Sequence, residues 1–202
     1  MNILWFDLET TGLDKNTHTI LEIAIVKTDM KGNILSKWSS KIKATSQDIV
    51  KASKRALEIN HYTEEAWKDA PTPEEIAPII REKFKGKYIL GGHNVAHFDV
   101  PFLKAWFNKH GQDPNIGYRF LDTMSTAVEH LFPCGLKSAS LVNIRKALAI
   151  ETGEAHTALA DTLACAEAYN QMARSSVWKR LWWRYIIPCL LYTSDAADET
   201  CR

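Results

Sequence analysis

The constraint that bears hardest on this chain lies in its first nine residues. Residues 3–8 (Ile3-Leu4-Trp5-Phe6-Asp7-Leu8) are an almost unbroken apolar run, yet Asp7 sits inside it and Glu9 follows two positions later. A short dense apolar run reads as a buried strand. Residues i and i+2 of a strand point to the same face, so the two carboxylates stand side by side. Like charges repel, and burial raises the cost of charging them. Two readings remain open on these residues alone. The strand ends near Asp7 and both acids are solvated, or the pair holds a hard divalent cation such as magnesium or manganese.

The rest of the pattern is α/β. Thr19 to Thr28 repeats apolar residues at period two (Leu21, Ile23, Ile25), and Ile34 to Ile42 is a more polar strand. Lys31-Gly32-Asn33 supplies the turn between them, giving a three-strand meander. Helices are expected over Gln47–Glu58 and from Thr72-Pro73-Glu74 to about Phe84, with Pro78 kinking or restarting the second. A strand over Lys87–Gly91 and a helix over Asp99–Lys109, with Phe102, Leu103, Trp106 and Phe107 on one face, follow. Then come a strand over Tyr118–Leu121 and helices over Thr123–Leu131, from a Ser138 cap through Leu148, and over Thr157–Arg174. Strands alternating with helices after a meander imply a mixed sheet flanked by helices.

Composition sets outer limits. The chain has 202 residues, 46% of them apolar, with a net charge of +1, which excludes a histone-like bulk polycation. Residues 27–55 hold eight Lys and Arg against two acids, a local excess that suits a phosphate backbone or a solvated face equally well. Cys134, Cys165, Cys189 and Cys201 form no CxxC pair, so a zinc ribbon is not expected, and their scatter suits a reducing cytoplasm. The N-terminus reads as a strand and not as a signal peptide. The longest apolar run, Tyr185–Tyr192, has eight residues and contains Pro188, too short for a membrane span.

Other candidate residues have equally bland readings one at a time. Asp99 after a strand can be a helix cap, and Asn94 and Phe98 can be loop and core. His156 and Asp161 are five apart, about 140° on a helix, so they do not share a helical face. Their joint occurrence with Asp7 and Glu9 in an α/β pattern that can gather them at one sheet edge changes the weighing.

Three segments carry a family resemblance over about residues 1–173. Trp5-Phe6-Asp7-Leu8-Glu9-Thr10-Thr11-Gly12-Leu13 resembles the first motif of the DEDD exonucleases. Gly92-His93-Asn94-Val95-Ala96-His97-Phe98-Asp99-Val100-Pro101-Phe102-Leu103 resembles the second, and His156-Thr157-Ala158-Leu159-Ala160-Asp161 the third. The His form of the third motif marks the DEDDh (DnaQ-like) branch; the sister branch has Tyr where this chain has Thr157. Arg55–His61 and Leu121-Asp122-Thr123 resemble the family's connecting segments.

The resemblance implies a ribonuclease H-like fold with a mixed five-stranded sheet. It also implies a 3′–5′ exonuclease that hydrolyses phosphodiester bonds with two divalent ions, magnesium or manganese. Asp7, Glu9, Asp99 and Asp161 are then the metal ligands, with Asp7 bridging both ions, and His156 is the general base. Leu8, Thr10, Thr11, Leu13, His61, Asn94 and Phe98 are the expected substrate contacts. The expected substrate is the 3′ end of single-stranded DNA, released as nucleoside 5′-monophosphates, with a DNA polymerase as partner in trans. An exoribonuclease or oligonucleotide hydrolase of the same branch is the alternative. A silent nucleic-acid-binding accessory subunit is the non-enzymatic one.

The chain divides into an exonuclease domain over 1–173 and an aromatic, basic tail over 174–202. Residues 177–192 place three of seven Trp within six positions. Such a stretch can dock a membrane surface, a partner or single-stranded nucleic acid, or pack back as a last helix. From about Cys189 the sequence resembles a non-native extension and is set aside from fold reasoning.

Overall fold

The computed structural model describes residues 1–110, 116–153 and 157–199, with the side chains of 190–199 left aside. Five strands, β1 (Asn2–Thr10), β2 (Ile20–Asp29), β3 (Ile34–Lys41), β4 (Tyr88–Gly92) and β5 (Phe120–Asp122), form one sheet in the order β3-β2-β1-β4-β5. The meander β1-β2-β3 is antiparallel, while β4 and β5 join it in parallel. This is the mixed five-stranded sheet expected from the sequence.

The alternation of β1 sends its side chains into two cores. Leu4, Phe6 and Leu8 enter the larger one, against α4 (Pro73–Lys83) and α5 (Asp99–Lys109), which contribute Ile76, Ile80, Phe102 and Trp106. Ile3 and Trp5 enter the other, beneath α8 (Ala158–Ala173), with Val26 and Cys165. The Trp5 ring lies 5.4 Å from that of Tyr169, and its Nε1–H donates to Thr28 Oγ1 at 3.0 Å. Gly91 is the register partner of Trp5, and a Cβ there would stand 2.3 Å from the indole, so the large ring requires the missing side chain.

Most elements fall within a residue or two of their expected limits, and the departures have local causes. The single helix expected over 47–58 is two, α1 (Ser46–Lys51) and α2 (Lys54–Ile59). Between them Ala52 and Ser53 are extended, and the Ser53 N–H donates to the Thr11 carbonyl at 2.8 Å, a tertiary bond that a continuous helix would forbid. A one-turn α3 (Glu64–Trp67) was not anticipated; Thr63 caps it and Trp67 Nε1–H reaches the Leu21 carbonyl at 2.9 Å. Pro78 does not restart α4. It lies on the exposed side, where the Glu74 carbonyl that loses its donor can face water. The helix α7 (Leu141–Leu148) is capped by Ser140 and not by Ser138, whose hydroxyl instead accepts from the Ser140 N–H.

A third apolar cluster joins α6 (Thr123–His130), α7, α8 and α9 (Val177–Glu199), the helix formed by the tail. Trp183 and Ile187 are 2% and 0% exposed there, so this part of the tail packs back on the fold. Among the described residues no helix is long and apolar enough to cross a membrane.

Candidate active site

Past Trp5, β1 runs beyond its partner β4, and this is where its acids lie. The Leu8 N–H, which has no β4 residue opposite it, donates to Asp99 Oδ1 at 3.1 Å. That bond brings the buried first residue of α5 against β1 (Asp99 is 2% exposed). On the other side, α8 begins at Thr157, whose hydroxyl accepts from the Ala160 N–H, and Asp161 sits in its first turn. Asp161, Cys165 and Tyr169 are spaced four apart, one face of a helix. Cys165 and Tyr169 pack with Ile3 and Trp5, which puts Asp161 over the end of the same β1 face, at Asp7 and Glu9. Carboxylate oxygens of Asp7, Glu9 and Asp161 all lie within 4.8 Å of one another.

The electrostatics show what such a gathering costs. Burial, and then the charges of Asp99, Glu9, Asp161 and Glu22, push the Asp7 carboxyl well above its ordinary range. Burial, with Asp161 and Glu22, pushes Glu9 up to about 8. Asp99 is also pushed up to about 8 by burial, against the N–H bonds that favour its charged form. Such acids are poorly solvated oxygen donors aimed at one point. A hard divalent cation is the group that lowers their energy together, and the donor set, all carboxylate oxygen, fits magnesium or manganese. Asp7, Glu9 and Asp161 can hold an ion, and the charge of the buried Asp99 also acts on Asp7.

The remaining candidates are distributed unevenly. His156 lies outside the described residues. Leu8 buries its side chain in the larger core, so its backbone is what it offers the site. The Thr10 and Thr11 hydroxyls are engaged locally, Thr10 donating to the Gly12 carbonyl at 2.8 Å and Thr11 accepting from the Thr19 N–H at 3.0 Å. Leu13, by contrast, is 84% exposed beyond them. Asn94 adopts φ 57°, with its N–H on Asp122 Oδ1 at 3.2 Å and its carbonyl accepting from the N–H groups of His97 and Phe98, so it shapes the turn that leads into Asp99. Phe98 is half-buried against Phe102, and His61, at φ 48°, is exposed.

Sequence reasoning missed Glu22 and Arg145. Glu22 is the antiparallel partner of Glu9, and burial raises its carboxyl even with Lys41 nearby. An acid inside Ile20–Val26 was the available signal, but only the strand register shows that it faces Glu9. Arg145 reaches Asp161 from α7, with Nη1 donating to Oδ1 at 3.1 Å.

The comparisons with known proteins agree with this geometry. The sequence model of a family described as exonuclease, the RNase T type, matches residues 4–169. The DNA polymerase III epsilon subunit of Treponema pallidum is 32% identical over 171 residues, covering 83% of this chain and 74% of that one. The PolC-type DNA polymerase III of Bacillus cereus is 30% identical over 174 residues, 86% of this chain and only 11% of the far longer polymerase. Among solved structures, E. coli exonuclease I with a dT13 oligonucleotide superposes with a TM-score of 0.76 at 21% identity, covering 86% of this chain and 41% of that one. Its zinc-bound complex with single-stranded DNA gives 0.75 at 21% identity, over 90% and 42%. At that identity the likeness shows the fold, which is ribonuclease H-like. Together with the matched family, it establishes that this chain is a member of the DnaQ-like 3′–5′ exonucleases.

Proposed function

We propose that this exonuclease acts on the 3′ ends of single-stranded DNA and releases nucleoside 5′-monophosphates, with two magnesium or manganese ions held by Asp7, Glu9, Asp99 and Asp161. The carrying observation is the convergence of three carboxylates within 4.8 Å, with the charge of the buried Asp99 also acting on Asp7. Bound there, the ions would supply a water activated at neutral pH and charge stabilisation for the departing 3′ oxygen. The chain's own residues do the rest. Asp7 is the acid whose carboxyl feels the charges of Asp99, Glu9 and Asp161 together. The Leu8 N–H fixes the Asp99 carboxylate, so it need not reorganise when substrate arrives. His156 is assigned by its motif to take the proton of the attacking water, a task for which an imidazole pKa of about 6.5 suits neutral pH.

Two features support a single strand as substrate. The apolar Leu13 side chain projects into solvent immediately after the acidic strand, free to stack against a terminal base. The half-buried Phe98 ring lies one residue before Asp99. A DNA polymerase partner is supported by the polymerase III relatives, one of them a separate epsilon subunit.

The test is incubation of the purified chain with 5′-labelled single-stranded DNA and matched RNA, each with magnesium, with manganese and with chelator. Wild type and Asp7→Asn are run in parallel. Metal-dependent stepwise shortening of DNA from its 3′ end, absent in the variant, is the expected result. Faster shortening of the RNA would replace the DNA reading with that of an exoribonuclease. No shortening of either strand by folded, metal-supplied protein would overturn the proposal.

A further inference from the structure

Arg145 lies on α7 and is not part of any of the three motifs. Its helix is anchored by Ile144, Ala147 and Leu148, all buried in the third cluster. The guanidinium itself is mostly shielded, with 14% of the side chain exposed. Its fork has two separate acceptors. Nη1 donates to Asp161 Oδ1 at 3.1 Å, and Nη2 donates to the Gly153 carbonyl at 3.1 Å. Gly153 adopts φ +99°, a left-handed conformation that glycine takes without strain, and this turn presents its carbonyl to the arginine. A further bond, Thr152 Oγ1–H to the Ala160 carbonyl at 2.9 Å, ties the same stretch to the first turn of α8. One side chain thus holds the chain at both ends of the short connection that runs in sequence from Gly153 to Asp161.

We infer that Arg145 is a positioning residue for the metal centre, holding the Asp161 carboxylate in the orientation that brings it to Asp7 and Glu9, and holding the chain at Gly153 on the approach to the third motif. The inference rests on the proposed metal-dependent function. A carboxylate on a helix's first turn can rotate, and an oxygen that must meet two others within 4.8 Å gains from having its partner pinned. The opposing effect is Coulombic, since a guanidinium beside a cation site repels the cation. Both side chains are mostly shielded, at 14% and 15% exposed, so salt screens that repulsion only weakly, and the inference holds where the fixed geometry of the ligand outweighs it. The fork is specific to arginine. A lysine keeps the charge but cannot hold both acceptors in one plane.

The experiment measures Mn2+ affinity of the whole chain by the loss of the free-ion electron paramagnetic resonance signal. Wild type, Arg145→Met, Arg145→Lys and Asp7→Asn are compared, with kcat and KM on single-stranded DNA measured beside it. Arg145→Met is expected to weaken Mn2+ binding by about tenfold or more, the scale of removing a partner that orients a ligand. The same variant lowers kcat with little change in KM, and Arg145→Lys recovers part of both losses. Unchanged or tighter Mn2+ binding in a folded Arg145→Met variant would overturn the inference. So would equal effects of Met and Lys that follow melting temperature alone. Should Arg145→Met fail to fold, Arg145→Lys carries the test, with full wild-type affinity and kcat as the overturning result. Absence of Mn2+ binding in wild type would instead remove the metal-centre reading beneath it.

Discussion

The two ends of β1 lie on the same sheet face and do opposite things. Ile3 and Trp5 are buried under α8, with the indole N–H of Trp5 donating to Thr28. Asp7 and Glu9 continue the same alternation four residues later, and there burial and mutual repulsion raise both carboxyls far above their ordinary range. One half of the strand contributes stability, and the other half spends some of it to keep oxygen donors poised. The helix α8 spans both, covering Trp5 with Tyr169 in its C-terminal half and meeting Asp7 with Asp161 in its first turn.

The largest expected effect breaks the functional end. Asp7→Asn removes the carboxylate that faces all the others. It should lower kcat by about 10³-fold or more, the scale of losing a group that acts in the transition state. Melting temperature of the metal-free variant should rise, because a like-charge contact is relieved and active sites commonly trade stability for function. A variant that is both inactive and less stable than wild type would mean that Asp7 is a structural group.

The opposite substitution breaks the structural end. Trp5→Ala empties the space that Gly91 leaves for the indole and strands Thr28 Oγ1. A loss of about 3–5 kcal/mol is expected from urea unfolding, as for large aromatic truncations in a packed core. The same experiment sharpens the standing of the tail. Ile187 is fully buried against the third cluster, so Ile187→Ala should cost about 2–4 kcal/mol while kcat of the folded enzyme is kept. An appended segment with no part in the core would show no change in unfolding.

The acids of the functional end could be read from the sequence because they break a local rule. An acid in an apolar strand, and a first-turn acid after a capping Thr, each stand out against their surroundings. The sheet was legible for a related reason, since period-two runs and one Gly turn specify a meander by local pattern alone. What stayed hidden depends on register and tertiary contact. Glu22 is one polar residue in an apolar strand until the pairing places it opposite Glu9. Arg145 looks like a surface residue on an amphipathic helix until α7 docks beside α8. The break between α1 and α2 follows from a backbone bond to Thr11, about forty residues earlier in the chain, which no local propensity encodes. Local conflict marks the candidate site, and long-range pairing completes it.

The smallest effect tests whether the strain at the functional end is electrostatic. Glu9 and Asp99 titrate near 8 in the folded chain against ordinary values of 4.5 and 3.8. Between those limits the folded state therefore binds more protons than the unfolded one, and the linkage relation makes stability fall as pH rises. The metal-free protein should melt at its highest temperature near the lower limit and lose stability steadily up to about pH 8, beyond which Glu9 and Asp99 are deprotonated in both states. Asp7→Asn should flatten the slope by removing one of the interacting charges. Adding Mn2+ should reverse it, because the ion binds the deprotonated cluster and releases protons on binding. With the ion at about 100 times its Kd the gain is about 2.7 kcal/mol, and it should be larger at pH 8 than at pH 6. Calorimetric melting across that pH range, with and without Mn2+, checks both slopes. A flat profile without metal would mean that water or local rearrangement already relieves the repulsion among Asp7, Glu9 and Asp161, and the contrast between the two ends of β1 would then be one of shape and not of charge.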